Sequence, residues 1–364
     1  MVTAHSAHAD TFFFATPEYT LRARGELRTW TRPEEAARAG TRIVGALPFF
    51  PEEDAVLSEP HHFSWGAPER GPAGEGPAPT WEITGLHSEP SREEHAARVA
   101  SARERIRRGE MDKVVLSRAI HCEAAGRIDP MCLAERCRAG SGLGIAHMVR
   151  WGAGALVGST PEVLIKKKGR MIESFPLAGT APRSADPVQD EALATELQLS
   201  HKDIHEHRYV TQAIKQVLRP YCARLDVPEE PSLTSTSHTW HLGTPIRGEL
   251  HDERVPVLEL AAALHPTPAV GGFPLDPAMA LLRAEEPGRG LYAGAVGWMD
   301  LAGDGEWRVT IRSAVIEGQR ITARVGGGIV ADSEPEEEVR ETATKFGPIR
   351  AALGLSAEAA AVRG

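Results

Sequence analysis

The alternation of apolar and polar positions predicts a first helix that opens at Ser91. Glu94 stands three residues further on, as in a capping box, and Val99, Ala102 and Ile106 then fall on one helical stripe that stops at Gly109. Residues 113–120 (KVVLSRAI) follow and read as a strand. From Ala155 the text is β-like: ALVGSTPEVLI, a turn at Lys167-Lys168-Gly169-Arg170, then MIESFPLAGTAPR. Lys166, Lys167 and Lys168 read as a solvated hairpin end. Residues 188–218 form the longest helical stretch. A second hairpin spans 307–316 and 321–331. In its first strand Trp307, Val309, Ile311 and Val315 share one face, and Arg308, Thr310 and Arg312 the other. A last helix opens at Ser333 and runs to about Leu353, with a kink or break at Gly347-Pro348. Strands arrive as hairpins, not as a regular βαβ alternation, so the expected class is α+β with largely antiparallel sheets.

Residues 64–80 (SWGAPERGPAGEGPAPT) are too rich in Gly and Pro for a helix or a ladder and read as a surface loop. The segment before it has too little pattern to stand alone. The chain is therefore expected to divide into an N-terminal part of the fold (1–90), a catalytic core (91–355) and a short tail (356–364). At 364 residues, 41% hydrophobic and 25% charged, it is long enough for a sizeable core. With 41 Lys+Arg against 50 Asp+Glu the net charge is −9, which argues against nucleic-acid and acidic-membrane partners. An anionic substrate must then be held by a few placed cations or a metal. The four cysteines form no CxxC pair and read as reduced thiols. No secretory signal pattern and no apolar run of about 20 residues is present, so a cytoplasmic protein is expected.

Candidate chemistry begins with carboxylates. Glu206 stands in line with Val210, Ala213 and Val217, so it points with the apolar face of its helix. Such a carboxylate needs a cation, which a core salt bridge or a metal would supply. Glu338 and Glu341 share a face on the final helix, with Lys345 one turn further on. Two inward carboxylates on separate helices are what a Mg²⁺ site needs. Pro176-Leu177-Ala178-Gly179-Thr180 and Val325-Gly326-Gly327-Gly328 place glycines at strand ends, where either a tight turn or a close ligand would call for them. Lys113, Glu162 and His241 are the acid/base candidates. Each also has a plainer reading: a strand-edge lysine, a surface hairpin residue and a core histidine.

Read together, these segments resemble the chorismate-utilising enzymes: isochorismate, salicylate, anthranilate and aminodeoxychorismate synthases. The similar blocks are KVVLSR (113–118), GSTPEVLI (158–165), ESFPLAGTAPR (173–183), SHKDIHEHRYV (200–210), WHLGTPIRGEL (240–250), LHPTPAVGGFP (264–274), GLYAGAVGW (290–298), GEWRVTIRSA (305–314), VGGGIVADS (325–333) and VRETATK (339–345), in the family's order. The resemblance implies one large α+β domain of two similar halves, with stacked antiparallel sheets and helices outside. It implies Mg²⁺ on Glu206 and Glu341, with Glu338 acting through water. Gly179, Thr180 and Lys345 match ring-side positions, and His241 stands beside the ring. Tyr292, Arg312 and Gly326 match the binding of the enolpyruvyl carboxylate, for which a guanidinium offers two parallel donors.

Within the family, aminating members carry Gln where this chain has Lys113, and the loop around Ala269 and Val270 is similar to that of isochorismate synthases. The resemblance thus implies a hydroxylating isomerase. Lys113 would deprotonate water for attack at C2 of chorismate, and protonated Glu162 would release the C4 hydroxyl. Glu162 then needs a raised pKa and Lys113 a lowered one. Salicylate synthase and a non-catalytic chorismate-binding paralogue are the competing readings. No glutaminase subunit is expected, the chain is expected to be a monomer, and the Phe12-Phe13-Phe14 region points towards a siderophore route through 2,3-dihydroxybenzoate.

Overall fold

In the computed structural model, which describes residues 9–68, 76–237 and 239–355, the strands collect into a ten-stranded sheet, a nine-stranded sheet and a three-stranded sheet. Residues 1–8, the centre of the 64–80 loop and the expected tail 356–364 lie outside the described residues. The two large sheets pack face to face. Phe12, Phe14, Leu21 and Leu156 of the first sheet bury themselves against Val44, Val296 and Trp298 of the second. Helices Pro130–Gly140 and Gly347–Leu353 cover the outer face of the first sheet. Helices Val257–Leu264 and Pro33–Arg38 lie outside the second. The layer order is helix, sheet, sheet, helix.

This layering explains local sequence. Phe12, Phe13 and Phe14 are consecutive, so their rings alternate between faces, yet all three are buried. A strand covered on both faces has no solvent side and reads as a continuous apolar run. Each such ring contributes about 1.5–3 kcal/mol relative to exposure. The N-terminal segment is woven into both layers. Asp10–Ala15, Thr20–Arg24 and His62–Gly66 join the first sheet, and Arg28–Trp30, Ile43–Leu47 and Val56–Glu59 join the second.

Helix Arg92–Arg107 has the reciprocal Ser91/Glu94 capping box, and Val99, Ala102 and Ile106 are buried as the stripe required. The final helix breaks where Gly347-Pro348 predicted, into Pro335–Lys345 and Gly347–Leu353. Four expectations are corrected. The strand from Lys113 runs on to Ala125, held along its length by Arg320–Ile329. The 188–218 stretch is two helices, Pro187–Leu199 and His201–Leu218, because Ser200 takes an extended conformation and caps the second through Asp203 N. Residues 307–316 are not one strand. Gly305–Val309 belongs to the second sheet and Ser313–Glu317 to the first, and the chain crosses between them at Arg312, whose φ is +52°. Lys167 is buried, not solvated, and pairs with Asp304 at 2.6 Å.

Candidate active site

The residues singled out above converge where the two layers part. The long strand starts here at Lys113. The crossing that ends at Arg312 passes through, and helices His201–Leu218 and Pro335–Lys345 bring their acidic faces. A cavity of ≈ 910 Å³, counting its open mouth, lies between them. Every one of the thirteen candidates lines it except Lys113 and Glu338, which stand behind its wall.

Lys113 is wholly enclosed, and its Nζ lies 2.8 Å from Glu206 Oε1. The plainer readings of Lys113 as an edge residue and Glu162 as a surface residue are both overturned by burial. The buried stripe of the Glu206 helix is His207, Val210, Thr211, Ile214 and Leu218, so Glu206 stands at the margin of the apolar face and faces the cavity. On the final helix Glu338 is buried and Glu341 half-buried. Glu338 Oε1 accepts from Ser333 Oγ at 2.8 Å, and Lys202 Nζ lies 3.4 Å away. Its Oε2 is buried and has no hydrogen-bond partner among the described residues. Burial, and then the neighbouring Glu341 charge, push the Glu338 carboxyl up to about 7.

The glycines of Arg320–Ile329 make room for these acids. A Cβ on Gly327 would meet Glu338 Oε2 at 2.8 Å, and one on Gly328 would overlap Glu206 Oε1. Lys345 donates to the Gly326 carbonyl at 2.9 Å and pairs with Glu341 at 2.6 Å. Burial opposes its charge, but Glu341, with Glu206 and Glu338 behind it, more than compensates and the Lys345 pKa is raised. Tyr292 is buried beside Gly326, its Oη 3.0 Å from where a Cβ would stand.

Across the cavity, Gly179 interrupts the strand Leu177–Pro182 with a bulge at φ +69°. The bulge brings the Gly179 carbonyl to 3.1 Å from His241 Nδ1, with Thr180 Oγ1 at 3.3 Å. On the other side of the ring, Arg312 Nη2 donates to His241 Nε2 at 2.6 Å and to Thr239 Oγ1 at 2.8 Å. A guanidinium has no acceptor, so Nε2 carries the lone pair and Nδ1 the proton. Burial and the Arg312 charge lower the His241 pKa to about 3, which keeps the ring neutral. Among the described residues no carboxylate pairs with the Arg312 guanidinium, which burial brings down to about 10. A half-buried cation so placed is a receptor for an anion. Glu162 is almost wholly buried in the same cavity, and desolvation raises its carboxyl to about 8.

Sequence reasoning missed two contributors. Asp203 lines the cavity and packs against Gly179. It lies one turn before Glu206, so the same periodicity marks it, but its place in the cap formed by Ser200 disguises it. The second is a buried ionic cluster beneath Ala269 and Val270. Arg289 donates to Glu286 at 2.7 Å, to the Val270 carbonyl at 3.0 Å and to the Val115 carbonyl. Glu286 accepts from Ser117 N and Oγ at 2.8 and 2.6 Å, and from Arg98. Burial alone would raise the Glu286 carboxyl, but Arg289 and Arg98 bring it below the ordinary range. Glu286 and Arg289 are three apart and read as a surface pair, while their other partners, Arg98, Val115 and Ser117, are far away in sequence and leave no local signal. Arg289→Met is expected to cost about 3–5 kcal/mol in urea denaturation, because it leaves Glu286 buried with too little counter-charge. Arg289→Met/Glu286→Leu should recover most of that loss.

The blocks that build this cavity match known proteins. The family model described as chorismate binding enzyme covers residues 73–354. Isochorismate synthase DhbC of Bacillus subtilis is 37% identical over 379 aligned residues, 96% of this chain and 95% of the relative. Isochorismate synthase EntC of Escherichia coli is 37% identical over 318 residues, 86% of this chain and 81% of the relative. The solved structure of a putative 2,3-dihydroxybenzoate-specific isochorismate synthase, DhbC from Bacillus anthracis, superposes with a TM-score of 0.88 at 37% identity, covering 95% of this chain and 97% of that one. Anthranilate synthase component I from Streptococcus pneumoniae, at 18% identity and a TM-score of 0.77, shares the fold. With its cavity built from the matching blocks and its relatives aligned over nearly the whole length, the chain belongs to the chorismate-binding enzyme family, on the side of the isochorismate synthases.

Proposed function

We propose that the protein is an isochorismate synthase, which adds water at C2 of chorismate and expels the C4 hydroxyl. The observation that carries this reading is the enclosed carboxyl of Glu162. Held up to about 8, it keeps its proton near neutral pH and can donate it. It faces a cavity whose other walls carry Lys345, Arg312, Glu206 and Glu341, with Glu338 behind them. Chorismate has two carboxylates, and the site offers two places for them. Arg312 receives the enolpyruvyl carboxylate, with Tyr292 and the Gly326 backbone beside it. The ring carboxylate lies towards Glu206 and Glu341. Gly179 and Thr180 shape the ring side, and His241 holds Arg312 in register. Ala269 and Val270, pinned by Arg289, close the remaining wall.

A Mg²⁺ ion fits the acidic side on the chemistry of its donors. Glu206, Glu338 and Glu341 supply only oxygen, the buried Glu338 Oε2 lacks a partner among the described residues, and two glycines clear the space in front of the carboxylates. Glu206 and Glu341 would hold the ion, with Glu338 reaching it through water. When bound it anchors the ring carboxylate and draws charge from the ring. Lys113 takes a proton from the attacking water as the bond to C2 forms. Glu162 gives its proton to the C4 oxygen, which leaves as water while the ring double bonds shift. One C–O bond forms and one breaks, so the reaction is expected to be reversible.

Gly328→Ala tests the fit of the acidic side. The new methyl overlaps Glu206 Oε1 and comes to 3.0 Å from Lys113 Cε, so the carboxylate must move. Weaker Mg²⁺ binding, read by titration calorimetry, is the expected outcome. The route to 2,3-dihydroxybenzoate is part of the proposal, supported by the specificity named for the Bacillus anthracis structure. The activity itself is tested by mass analysis of products from chorismate and Mg²⁺. Isochorismate in equilibrium with chorismate supports the proposal; salicylate with pyruvate, or no turnover, overturns it.

A further inference from the structure

A second cluster of metal-ligand type lies on the rim of the first sheet, away from the cavity. Strand Glu82–Glu89 pairs with the far end of Lys113–Ala125, and His87 stands directly opposite His121. Glu89 is two residues beyond His87 and so projects from the same face. The two imidazoles stack with centroids 4.9 Å apart and planes 23° from parallel. His121 Nε2 is 3.2 Å from Glu89 Oε2, and one ligand atom from each of the three residues lies within 4.8 Å of the others. Behind His121, its Nδ1 lies 3.1 Å from Thr322 Oγ1 on the adjoining strand, where Thr322 is its register partner. Such a contact to one ring nitrogen fixes the orientation of the ring and aims the other nitrogen at a ligand.

We propose that His87, Glu89 and His121 form a site for a borderline divalent transition metal, with Zn²⁺ as its representative. Two imidazoles and one carboxylate are a recurrent Zn²⁺ donor set that leaves a position for water. Nitrogen donors favour Zn²⁺ and its neighbours, whereas Mg²⁺ keeps to oxygen, so the two centres of this protein select different ions. His121 is eight residues beyond Lys113 on one strand, which separates the centres by about 26 Å at a rise of about 3.3 Å per residue. His87 and Glu89 are exposed and His121 half-buried, so the ion enters from solvent and small rotations of exposed side chains close the ligand set. The bound ion clips the outer strand to the long one. Ser88 of that outer strand accepts from Arg118 at 2.8 Å, and Arg118 also donates to Thr342 on the helix bearing Glu338 and Glu341.

The test is Zn²⁺ binding to the full chain in millimolar Mg²⁺, by equilibrium dialysis, with Co²⁺ as a spectroscopic reporter of nitrogen ligation. One Zn²⁺ per chain is expected. His87→Gln/His121→Gln should weaken it by at least about 100-fold, and Thr322→Val by about 10-fold, as expected for lost orientation of a ligand. Isochorismate formation with Mg²⁺ should be unchanged in these variants. No Zn²⁺ bound at micromolar concentration overturns the proposal. Stoichiometry and affinity unchanged in the double variant, meaning an adventitious ion only, overturn it as well.

Discussion

Replacing Glu162 by Gln is expected to lower isochorismate formation by about 10²- to 10⁴-fold while the fold survives, because the amide keeps the shape but has no proton to give. The pH profile separates this from a packing defect. In the wild type the donating form is lost as pH rises through about 8, so turnover should fall above that value. The residual rate of the variant should lack that falling limb. Stability carries a second signature. Between the ordinary carboxylate range and about 8, folded Glu162 holds a proton that the unfolded chain does not. Folding therefore takes up a proton in that window, and the wild type loses stability as pH rises through it. The neutral amide has no such dependence, so the melting temperature of Glu162→Gln relative to wild type should rise across the same window. A variant that is slow but retains the wild-type pH limb would show that another group supplies the proton.

Lys113→Ala is expected to produce a loss of similar size, about 10²- to 10⁴-fold, through removal of the base that serves the attacking water. Its binding behaviour should be the reverse of a general disruption. The Nζ of Lys113 lies 2.8 Å from Glu206 Oε1 and occupies that carboxylate oxygen, so the variant should bind Mg²⁺ at least as tightly as wild type. Chorismate should still bind, since Arg312 and Lys345 are untouched. Calorimetry with Mg²⁺ and chorismate, beside a product assay, reads both. Wild-type turnover would remove Lys113 from the reaction. Lost metal binding would assign it instead to holding the acidic cluster.

The parts of this molecule that were legible beforehand are those with a local cause. The Ser91/Glu94 cap depends on two residues three apart, and the inward set of Glu206 follows from helical period. The clearance in front of the acids follows from three consecutive glycines in a strand, where nothing in the ladder itself needs them. What stayed hidden depends on partners distant in sequence. A lysine at the start of a strand looks like an edge residue until a helix some ninety positions later supplies Glu206. The alternation around Trp307 reads through Arg312 as one strand, because a residue held at positive φ has no signature in polarity. Arg289 and Glu286 look like surface charges three apart, and only the folded chain sets them beneath Val270 and Ser117.

The central claim is that one cavity presents chorismate between an amine that accepts a proton and a carboxylic acid that donates one, with the ring carboxylate anchored at the glutamates. A crystal structure of the protein with Mg²⁺ and a non-reactive chorismate analogue tests it most directly. The account predicts the ion on Glu206 and Glu341, the enolpyruvyl carboxylate on Arg312, and Glu162 within about 2.6–3.2 Å of the C4 oxygen. An analogue seated with its C4 oxygen away from Glu162, or an ion bound elsewhere than on those two glutamates, would contradict it.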